Sequence, residues 1–243
     1  SLNDKKIQII KKLIIMKNVF FMYILTSLVI LSYHVNAQMM INLNKYKEEN
    51  SSLGLPKQGE NRIVFMGNSI TEDWKSLSPN FFLDNNYVNR GIGGETSSQM
   101  LLRFRSDVIN LKPSAVVILA GINDIAENQG PISIPDIARN IFFMSQLASE
   151  NNIKVILCSV LPAYDFPWRP GLNPKDKVIS LNDLIQKHAQ EKSFEYVDYF
   201  SSMVDERKGL IKEYGNDEVH PNLEGYRVME SIIQKSIHKV LNK

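Results

Sequence analysis

Short apolar runs alternate along the chain with longer segments in which apolar residues recur at helical spacing. Five runs have the length and bounding residues of buried strands, and they cover 62–66, 87–89, 114–120, 153–160 and 194–197. Helical spacing extends over 97–111, 134–151, 175–192 and 223–241. This alternation predicts βαβ crossovers, and therefore an α/β fold with a five-stranded parallel sheet and helices on both faces.

The residues that directly follow the predicted strands are small and polar. These segments cover 67–71, 90–96, 121–124 and 161–170, and a similar loop at 215–221 precedes the last helix. Ligands bind beyond the carboxyl ends of the strands in an open α/β sheet. We therefore expect one functional site at this edge.

Composition narrows the class of protein. The chain has 243 residues, of which 44% are hydrophobic, and one cysteine, Cys158. These values exclude a disordered chain and a disulfide scaffold, and Cys158 is predicted to be a small core residue of the fourth strand. The 28 basic and 26 acidic residues give a net charge of +2, which is too balanced to indicate a nucleic-acid partner.

Residues 1–37 have the organisation of an N-terminal extension that ends in an export signal. Met16-Lys17 is a basic start, residues 19–33 are largely apolar, and Val35-Asn36-Ala37 forms a small-x-small end. We expect synthesis to begin at Met16 and cleavage to follow Ala37, which predicts a secreted or periplasmic protein without a stable membrane anchor. An uncleaved anchor is the alternative, although a spanning helix needs about 20 apolar residues. No cysteine lies near the cut, so no lipidated N-terminus is expected.

The rest of the chain is predicted to contain a polar N-terminal segment over 38–60 and one domain over 61–243. The segment includes a short helical stretch near Leu43–Glu49. Five lysines and one aspartate lie within 1–37, so the remaining residues carry a net charge of −2. The positive charge of the whole chain is therefore a property of its first 37 residues.

His220 is the histidine best placed for chemistry, because it lies in a polar loop at the expected site. Asp217, three residues earlier, can accept a hydrogen bond from its ring and fix the tautomer. The alternative for this pair is an Asx turn before a helix that starts near Pro221. His188 and His238 are predicted to be solvated helix positions, and His34 lies in the signal.

Ser69 is the candidate nucleophile, since it follows a buried strand through Gly67 and Asn68. The alternative is that Asn68, Ser69 or Thr71 only caps the next helix. No Gly-x-Ser-x-Gly sequence occurs, which disfavours an α/β-hydrolase. Acyl transfer also needs donors for the developing oxyanion, and Gly94 and Asn123 have suitable chemistry. Their alternative is ordinary turn formation.

Neither a nucleotide cofactor nor a metal is expected. Gly91, Gly93 and Gly94 resemble part of a dinucleotide-binding sequence, but Thr96 stands where its third glycine is needed. The glycines also follow the second strand rather than the first. One loop histidine without a cysteine partner does not make a usual zinc site.

Four short sequence blocks, taken in order, carry a resemblance to a known family. They are Gly67-Asn68-Ser69, Asn89-Arg-Gly-Ile-Gly-Gly94-Glu-Thr96, Gly121-Ile-Asn123-Asp124 and Asp217-x-x-His220-Pro221. Each block alone is weak, but the order and the position after successive strands resemble those of the SGNH (GDSL-type) hydrolases. The resemblance implies a three-layer α/β/α, flavodoxin-like fold and a serine esterase mechanism without metal or cofactor.

The resemblance also implies a role for each matched residue. Ser69 would be the nucleophile, His220 the general base and then acid, and Asp217 the residue that orients His220. The oxyanion hole would be formed by the Ser69 and Gly94 N–H groups and the Asn123 side-chain amide. One departure is visible, because the family's commonest first block has aspartate where this chain has Asn68.

The segment after the fourth strand offers possible substrate-binding residues. Tyr164 and Trp168 can stack on sugar rings, and Arg169 can meet a carboxylate or phosphate. The alternative is a proline-rigidified loop whose aromatic residues pack locally. The sequence after residue 37 has no long apolar stretch that would form an acyl tunnel or a membrane-surface helix. Together with export, this favours short acyl esters, in particular acetyl esters on glycans. A lysophospholipase or other lipid-ester hydrolase is the first alternative, and a non-catalytic carbohydrate-binding protein on the same scaffold is the second.

Overall fold

The structure is a computed structural model that describes residues 12–27 and 42–242. The chain divides into two units, Ser1–Lys45 and Tyr46–Lys243. In the first unit, residues 12–27 form a helix with exposed side chains. The predicted cleavage site at Ala37 lies outside the described residues. None of the helices within the described ranges combines the length and apolarity needed to cross a membrane.

The second unit contains a five-stranded sheet in which all strands are parallel. The strands are β1 (Ile63–Gly67), β2 (Tyr87–Gly91), β3 (Ala115–Leu119), β4 (Lys154–Cys158) and β5 (Glu195–Val197). Their order is β2-β1-β3-β4-β5, with Val64 beside both Val88 and Val116. This is the strand order of flavodoxin-like folds, so the predicted five-stranded parallel sheet is confirmed.

Helices cover both faces of the sheet. In chain order they are α1 (Lys47–Leu53), α2 (Ser69–Leu77), α3 (Pro79–Leu83), α4 (Ser97–Asp107), α5 (Ile122–Ile125), α6 (Ile134–Glu150), α7 (Pro174–Lys192), α8 (Phe200–Met203) and α9 (Leu223–Leu241). Helices α4, α6 and α7 pack side by side in one layer, and α2, α3 and α9 form the other. The three-layer α/β/α architecture is therefore confirmed.

An aromatic cluster fixes the layer that carries α2. Trp74 stacks on Phe81 at 5.1 Å and on Tyr226 at 5.4 Å, while Phe65 of the sheet meets Trp74 edge-on. Tyr226 also donates a hydrogen bond to the Ile70 carbonyl at 2.8 Å. Helix α9 therefore supports the first turn of α2 directly.

Several boundaries differ from the sequence-based prediction, and two of the differences have identifiable reasons. No bounds were predicted for a helix after the first strand, yet α2 begins at Ser69 because Asn68 caps it. The fourth strand was predicted to reach residue 160 but ends at Cys158. Beyond it, the Val160 N–H donates to the Asn182 Oδ1 at 2.7 Å, and the Asn182 Nδ2 donates to the Val160 carbonyl at 3.0 Å. A side-chain amide therefore takes the place of a neighbouring strand at this position.

The segment from Tyr46 to Arg62 belongs to the compact unit. Arg90, fully buried in β2, donates to Asn50 at 2.9 Å and to Glu49 at 3.0 Å. Arg62 donates to the carbonyls of Gly54 and Leu111. These bonds attach α1 and the following loop to the sheet.

Candidate active site

Ser69 is the first residue of α2, immediately after β1. Gly67 makes this tight turn possible, because a Cβ at that position would lie 2.0 Å from the Thr71 Oγ1. Asn68 caps the helix through its Oδ1, which accepts from the Ile70 N–H at 3.1 Å. Asn68 thus forms the cap that an aspartate would form, while its buried Nδ2 has no hydrogen-bond partner among the described residues.

A chain of hydrogen bonds joins Ser69 to two residues far away in sequence. The Ser69 Oγ lies 3.1 Å from the His220 Nε2, and the His220 Nδ1 lies 2.9 Å from the Asp217 Oδ2. The other carboxylate oxygen, Asp217 Oδ1, accepts from the Val219 and His220 N–H groups, each at 2.7 Å. The loop is therefore an Asx turn and also places a carboxylate against the imidazole.

The carboxylate of Asp217 is held in its charged form. Its partial burial by itself raises the pKa, but the backbone and ring hydrogen bonds from His220 and the Val219 N–H outweigh burial and lower the pKa. An ionised acceptor at Nδ1 favours the tautomer with its proton on Nδ1. The Nε2 lone pair then faces the Ser69 hydroxyl, which is the geometry that general-base catalysis requires.

Gly94 and Asn123 follow β2 and β3 at the same edge of the sheet. Gly94 has a φ of +76°, a conformation that favours glycine. Asn123 lies on α5, is 3% exposed, and uses its Nδ2 to donate to the Glu95 carbonyl at 3.0 Å. Within residues 42–242, the N–H groups of Ser69 and Gly94 have no acceptor in the protein. Two backbone donors and the second Nδ2 hydrogen of Asn123 are thus available to a ligand.

A buried ionic network under these loops was not predicted from the sequence. Arg103 is fully buried and donates to the Glu95 carboxylate at 2.6 Å, the Asp107 carboxylate at 3.0 Å and the Gly67 carbonyl at 3.1 Å. It therefore connects the turn before Ser69 with the loop after β2. From the sequence alone, an arginine within a helix such as Arg103 is expected to be solvated. Its partners are brought to it only by the fold.

A second buried carboxylate ties α5 to α4. Asp124 accepts from the Ser97 N–H at 2.8 Å and from the Ser97 Oγ at 2.6 Å. Burial raises the pKa of Asp124, and the two bonds from Ser97 oppose that effect. Because Asp124 is the neighbour of Asn123, this contact fixes the short helix that carries the Asn123 amide.

The segment after β4 brings one of its three candidate substrate-binding residues beside the histidine. The Trp168 ring lies 5.8 Å from the His220 ring, packs on Phe166 and is 44% exposed. Arg169 is engaged within the protein, because it donates to two carbonyls after α5 and pairs with Glu127 at 3.1 Å.

Tyr164, the third candidate, has a different environment. Its ring lies between Lys175 at 5.0 Å and Arg207 at 4.8 Å, which makes it a cation–π partner of both side chains. Arg207 also pairs with Asp205 at 3.0 Å. Trp168 is thus the residue of the three whose exposed ring is shown beside the candidate active site.

The chain contains a second serine–histidine pair at similar spacing. Ser145 Oγ lies 3.0 Å from His188 Nε2, but Ser145 is fully buried and also donates to the Phe142 carbonyl. His188 stacks on Phe142 at 3.8 Å and is half-buried, so it is less solvated than the sequence predicted. Phe142 lies on α6, and helical periodicity within one segment does not show such a contact between two helices.

Other reactive groups do not form a second site within the described residues. Cys158 is buried as predicted, and burial raises the pKa of its thiol to about 12. The ranges 12–27 and 42–242 contain no group of three or more His, Cys, Asp or Glu side chains arranged for a metal ion.

Known proteins resemble this chain over most of the second unit. The sequence model of the GDSL-like lipase/acylhydrolase family matches residues 65–228. A crystal structure described as a GDSL-like lipase, from Bacteroides thetaiotaomicron, is 48% identical with a TM-score of 0.80, covering 82% of this chain and 98% of the other. A crystal structure from Bacteroides fragilis is 50% identical with a TM-score of 0.81, covering 82% and 97%.

One curated relative matches over a shorter region. The uncharacterized lipoprotein YqeF of Bacillus subtilis is 33% identical over 78 residues, which are 31% of this chain and 32% of that protein. The chain therefore spans about a third of the length of this relative.

Proposed function

The chain belongs to the GDSL-like lipase/acylhydrolase family, and from this premise we propose that it is an exported serine esterase that hydrolyses short acyl esters through an acyl-enzyme. The observation that carries the proposal is the hydrogen-bonded chain from Ser69 through His220 to Asp217, at 3.1 and 2.9 Å. A hydroxyl, a base and an orienting carboxylate are the groups that nucleophilic acyl transfer requires.

The proposed reaction has two halves. His220 Nε2 takes the proton of Ser69 as its Oγ attacks the ester carbonyl, and the resulting imidazolium then gives that proton to the departing alcohol. The acyl group remains on Ser69. In the second half, His220 takes a proton from water, the hydroxide attacks the acyl carbonyl, and the acid leaves as Ser69 regains its proton.

Each tetrahedral intermediate places a negative charge on the former carbonyl oxygen. We assign its stabilisation to the Ser69 N–H, the Gly94 N–H and the Asn123 amide, three donors at this edge that have hydrogens left over. Preorganised donors of this kind lower the barrier because they need not reorient as charge develops.

Replacing Asn123 with alanine is expected to lower kcat by about 10²- to 10³-fold, the typical effect of removing one oxyanion donor. Steady-state hydrolysis of p-nitrophenyl acetate, with the unfolding temperature measured in parallel, checks this prediction. Asn85→Ala is the control. Asn85 also donates one hydrogen bond to a backbone carbonyl, that of Phe81 in helix α3, which is remote from the site. A kcat for Asn123→Ala within threefold of wild type would contradict the assignment.

For the substrate, we favour acetyl esters on glycans. The exposed ring of Trp168 beside His220 supports this choice, because an aromatic face adjacent to the base can stack on a sugar ring that carries the ester. The signal-like sequence of residues 16–37 supports a location outside the cytoplasm, secreted or periplasmic, where such glycans occur.

The chain-length preference tests this substrate class. We expect acetyl esters to be hydrolysed with a kcat/KM at least about tenfold above that of octanoyl esters, because a pocket fitted to a methyl group leaves no apolar wall for the longer chain. A second measurement tests the contact with the sugar. Trp168→Ala should raise KM for an acetylated oligosaccharide and leave hydrolysis of ethyl acetate unchanged. A preference for octanoyl esters would instead favour the lipid-ester hydrolase.

The non-catalytic carbohydrate-binding alternative is separated by a different measurement. A fluorophosphonate probe reacts with an activated serine, so labelling that maps to Ser69 supports the esterase. Binding of acetylated glycans without any labelling would favour the alternative.

A further inference from the structure

The loop from Gly91 to Glu95 is anchored from several sides. The Gly91 carbonyl accepts a hydrogen bond from the Tyr46 hydroxyl, and the Ile92 N–H donates to the Gly67 carbonyl at 3.2 Å. The Gly93 N–H donates to the Glu72 Oε2 at 2.6 Å. These three bonds hold the loop immediately before the Gly93–Gly94 peptide, which carries the N–H of Gly94.

Among these anchors, Glu72 is the one that lies on the helix of the nucleophile. It follows Ser69 by three residues on α2, and residues at this spacing share one face of a helix. A Cβ built on Gly93 would lie 3.1 Å from the Glu72 Oε2 and 3.9 Å from the Ser69 Cβ. Gly93 is exposed to solvent, and it lies next to the first turn of α2, close to Glu72 and Ser69.

Close packing elsewhere keeps Glu72 in place. A Cβ on Gly91 would lie 2.2 Å from the Glu72 backbone N, so the end of β2 and the first turn of α2 are in direct contact. The Asn89 side chain bonds to the Thr71 carbonyl and to the Gly91 N–H. The Glu72 side chain therefore spans a short, fixed distance to the loop.

We propose that Glu72 is a positioning residue that fixes the Gly93–Gly94 peptide relative to Ser69, so that the Gly94 N–H stays aimed at the developing oxyanion. Two consecutive glycines have large conformational freedom, and a hydrogen bond to one of their N–H groups removes much of it. The inference rests on the proposed esterase, in which Gly94 supplies an oxyanion donor.

The charge of Glu72 works against the reaction, because a carboxylate near the forming oxyanion repels it. The benefit must therefore come from the hydrogen bond and not from the charge. Glutamine keeps an acceptor oxygen at the same reach and loses the charge, whereas aspartate keeps the charge and shortens the reach. These two substitutions separate positioning from electrostatics.

The test measures kcat and KM for p-nitrophenyl acetate in the full chain and its variants. Glu72→Ala and Glu72→Asp are expected to lower kcat by about 10- to 100-fold with KM within about threefold, since a small misplacement of a catalytic group has effects of this size. Glu72→Gln should stay within about threefold of wild type in both parameters. Unchanged kcat in Glu72→Ala and Glu72→Asp, or a loss in Glu72→Gln equal to that in Glu72→Ala, would overturn the proposal.

Glu230→Ala is the matched control. Glu230 also accepts one hydrogen bond from α2, at 3.0 Å from the Trp74 Nε1, but its partner is a side chain in the second half of that helix. It should change stability and leave kcat unaltered. An active wild type and an inactive Ser69→Ala, together with a fully active Glu72→Ala, would overturn only the role of Glu72. A wild type without Ser69-dependent hydrolysis would overturn the proposed function as well.

Discussion

Ser69→Ala is expected to lower kcat for a short acyl ester by about 10⁴- to 10⁶-fold, as loss of the nucleophile does in serine hydrolases. The substitution removes the Oγ that bonds His220 and changes little else. Helix α2 should persist, because its cap is the Asn68 side chain and not the Ser69 hydroxyl. Initial rates over a wide range of enzyme concentration, with circular dichroism as a check of folding, measure the effect.

Ser145→Ala is the informative comparison for this variant. Ser145 and His188 have nearly the spacing of Ser69 and His220, at 3.0 against 3.1 Å. The buried Ser145 hydroxyl is inaccessible to substrate and bonds a backbone carbonyl. Its removal should lower the unfolding temperature and leave kcat unaltered. Equal kcat values for wild type and Ser69→Ala would contradict the assignment of Ser69 as the nucleophile.

Asp217→Asn is expected to lower kcat by about 10³- to 10⁴-fold, because it reverses the hydrogen-bond preference at the ring. The asparagine oxygen can keep the bonds from the Val219 and His220 N–H groups, so its NH₂ faces the His220 Nδ1. The ring must then accept at Nδ1 and carry its proton on Nε2. In that tautomer His220 cannot take the proton of Ser69.

Asp205→Asn provides the control for Asp217. Asp205 also accepts from two backbone N–H groups of its own turn, those of Arg207 and Gly209, but contacts no histidine within residues 42–242. Its substitution should leave kcat within about threefold of wild type. If Asp217→Asn retained kcat within tenfold, the tautomer argument would fail.

The same aspartate has an expected effect on the pH dependence of stability. The folded protein lowers the pKa of Asp217 despite its partial burial. Its stabilising contribution is therefore present above the unfolded pKa of about 4 and is lost as the pH falls through the lower folded pKa. Denaturant unfolding should show the stability difference between wild type and Asp217→Asn shrinking from pH 6 towards pH 3.

Much of the fold could be predicted because its signals are local. The strands β1 and β3 are apolar runs that are buried along their whole length. β1 ends at Gly67, and Gly121 closely follows β3. The four long helices are amphipathic. Helix α2 was harder to predict, since Gly67-Asn68-Ser69 reads as a turn and the cap and the candidate nucleophile are adjacent residues.

The supporting contacts of the site could not be predicted, because they depend on pairs of residues distant in sequence. Arg103 meets Gly67 across 36 residues, and Tyr46 meets Gly91 across 45. Nothing near Glu72 in the sequence indicates that its side chain reaches Gly93. By contrast, Asp217 and His220 are three residues apart, so one loop was enough to suggest their contact.

The candidate nucleophile and base also stand 151 residues apart, with the base directly before the last helix. A ribosome adds about 5–20 residues each second, so a growing chain carries Ser69 for roughly 8–30 s before His220 is added. In the proposed mechanism Ser69 lacks its base during that interval, so the nascent polypeptide is not expected to hydrolyse esters. The same expectation applies to a proteolytic fragment that has lost His220. Under this mechanism, hydrolysis would be limited to chains synthesised through the end of the 215–221 loop.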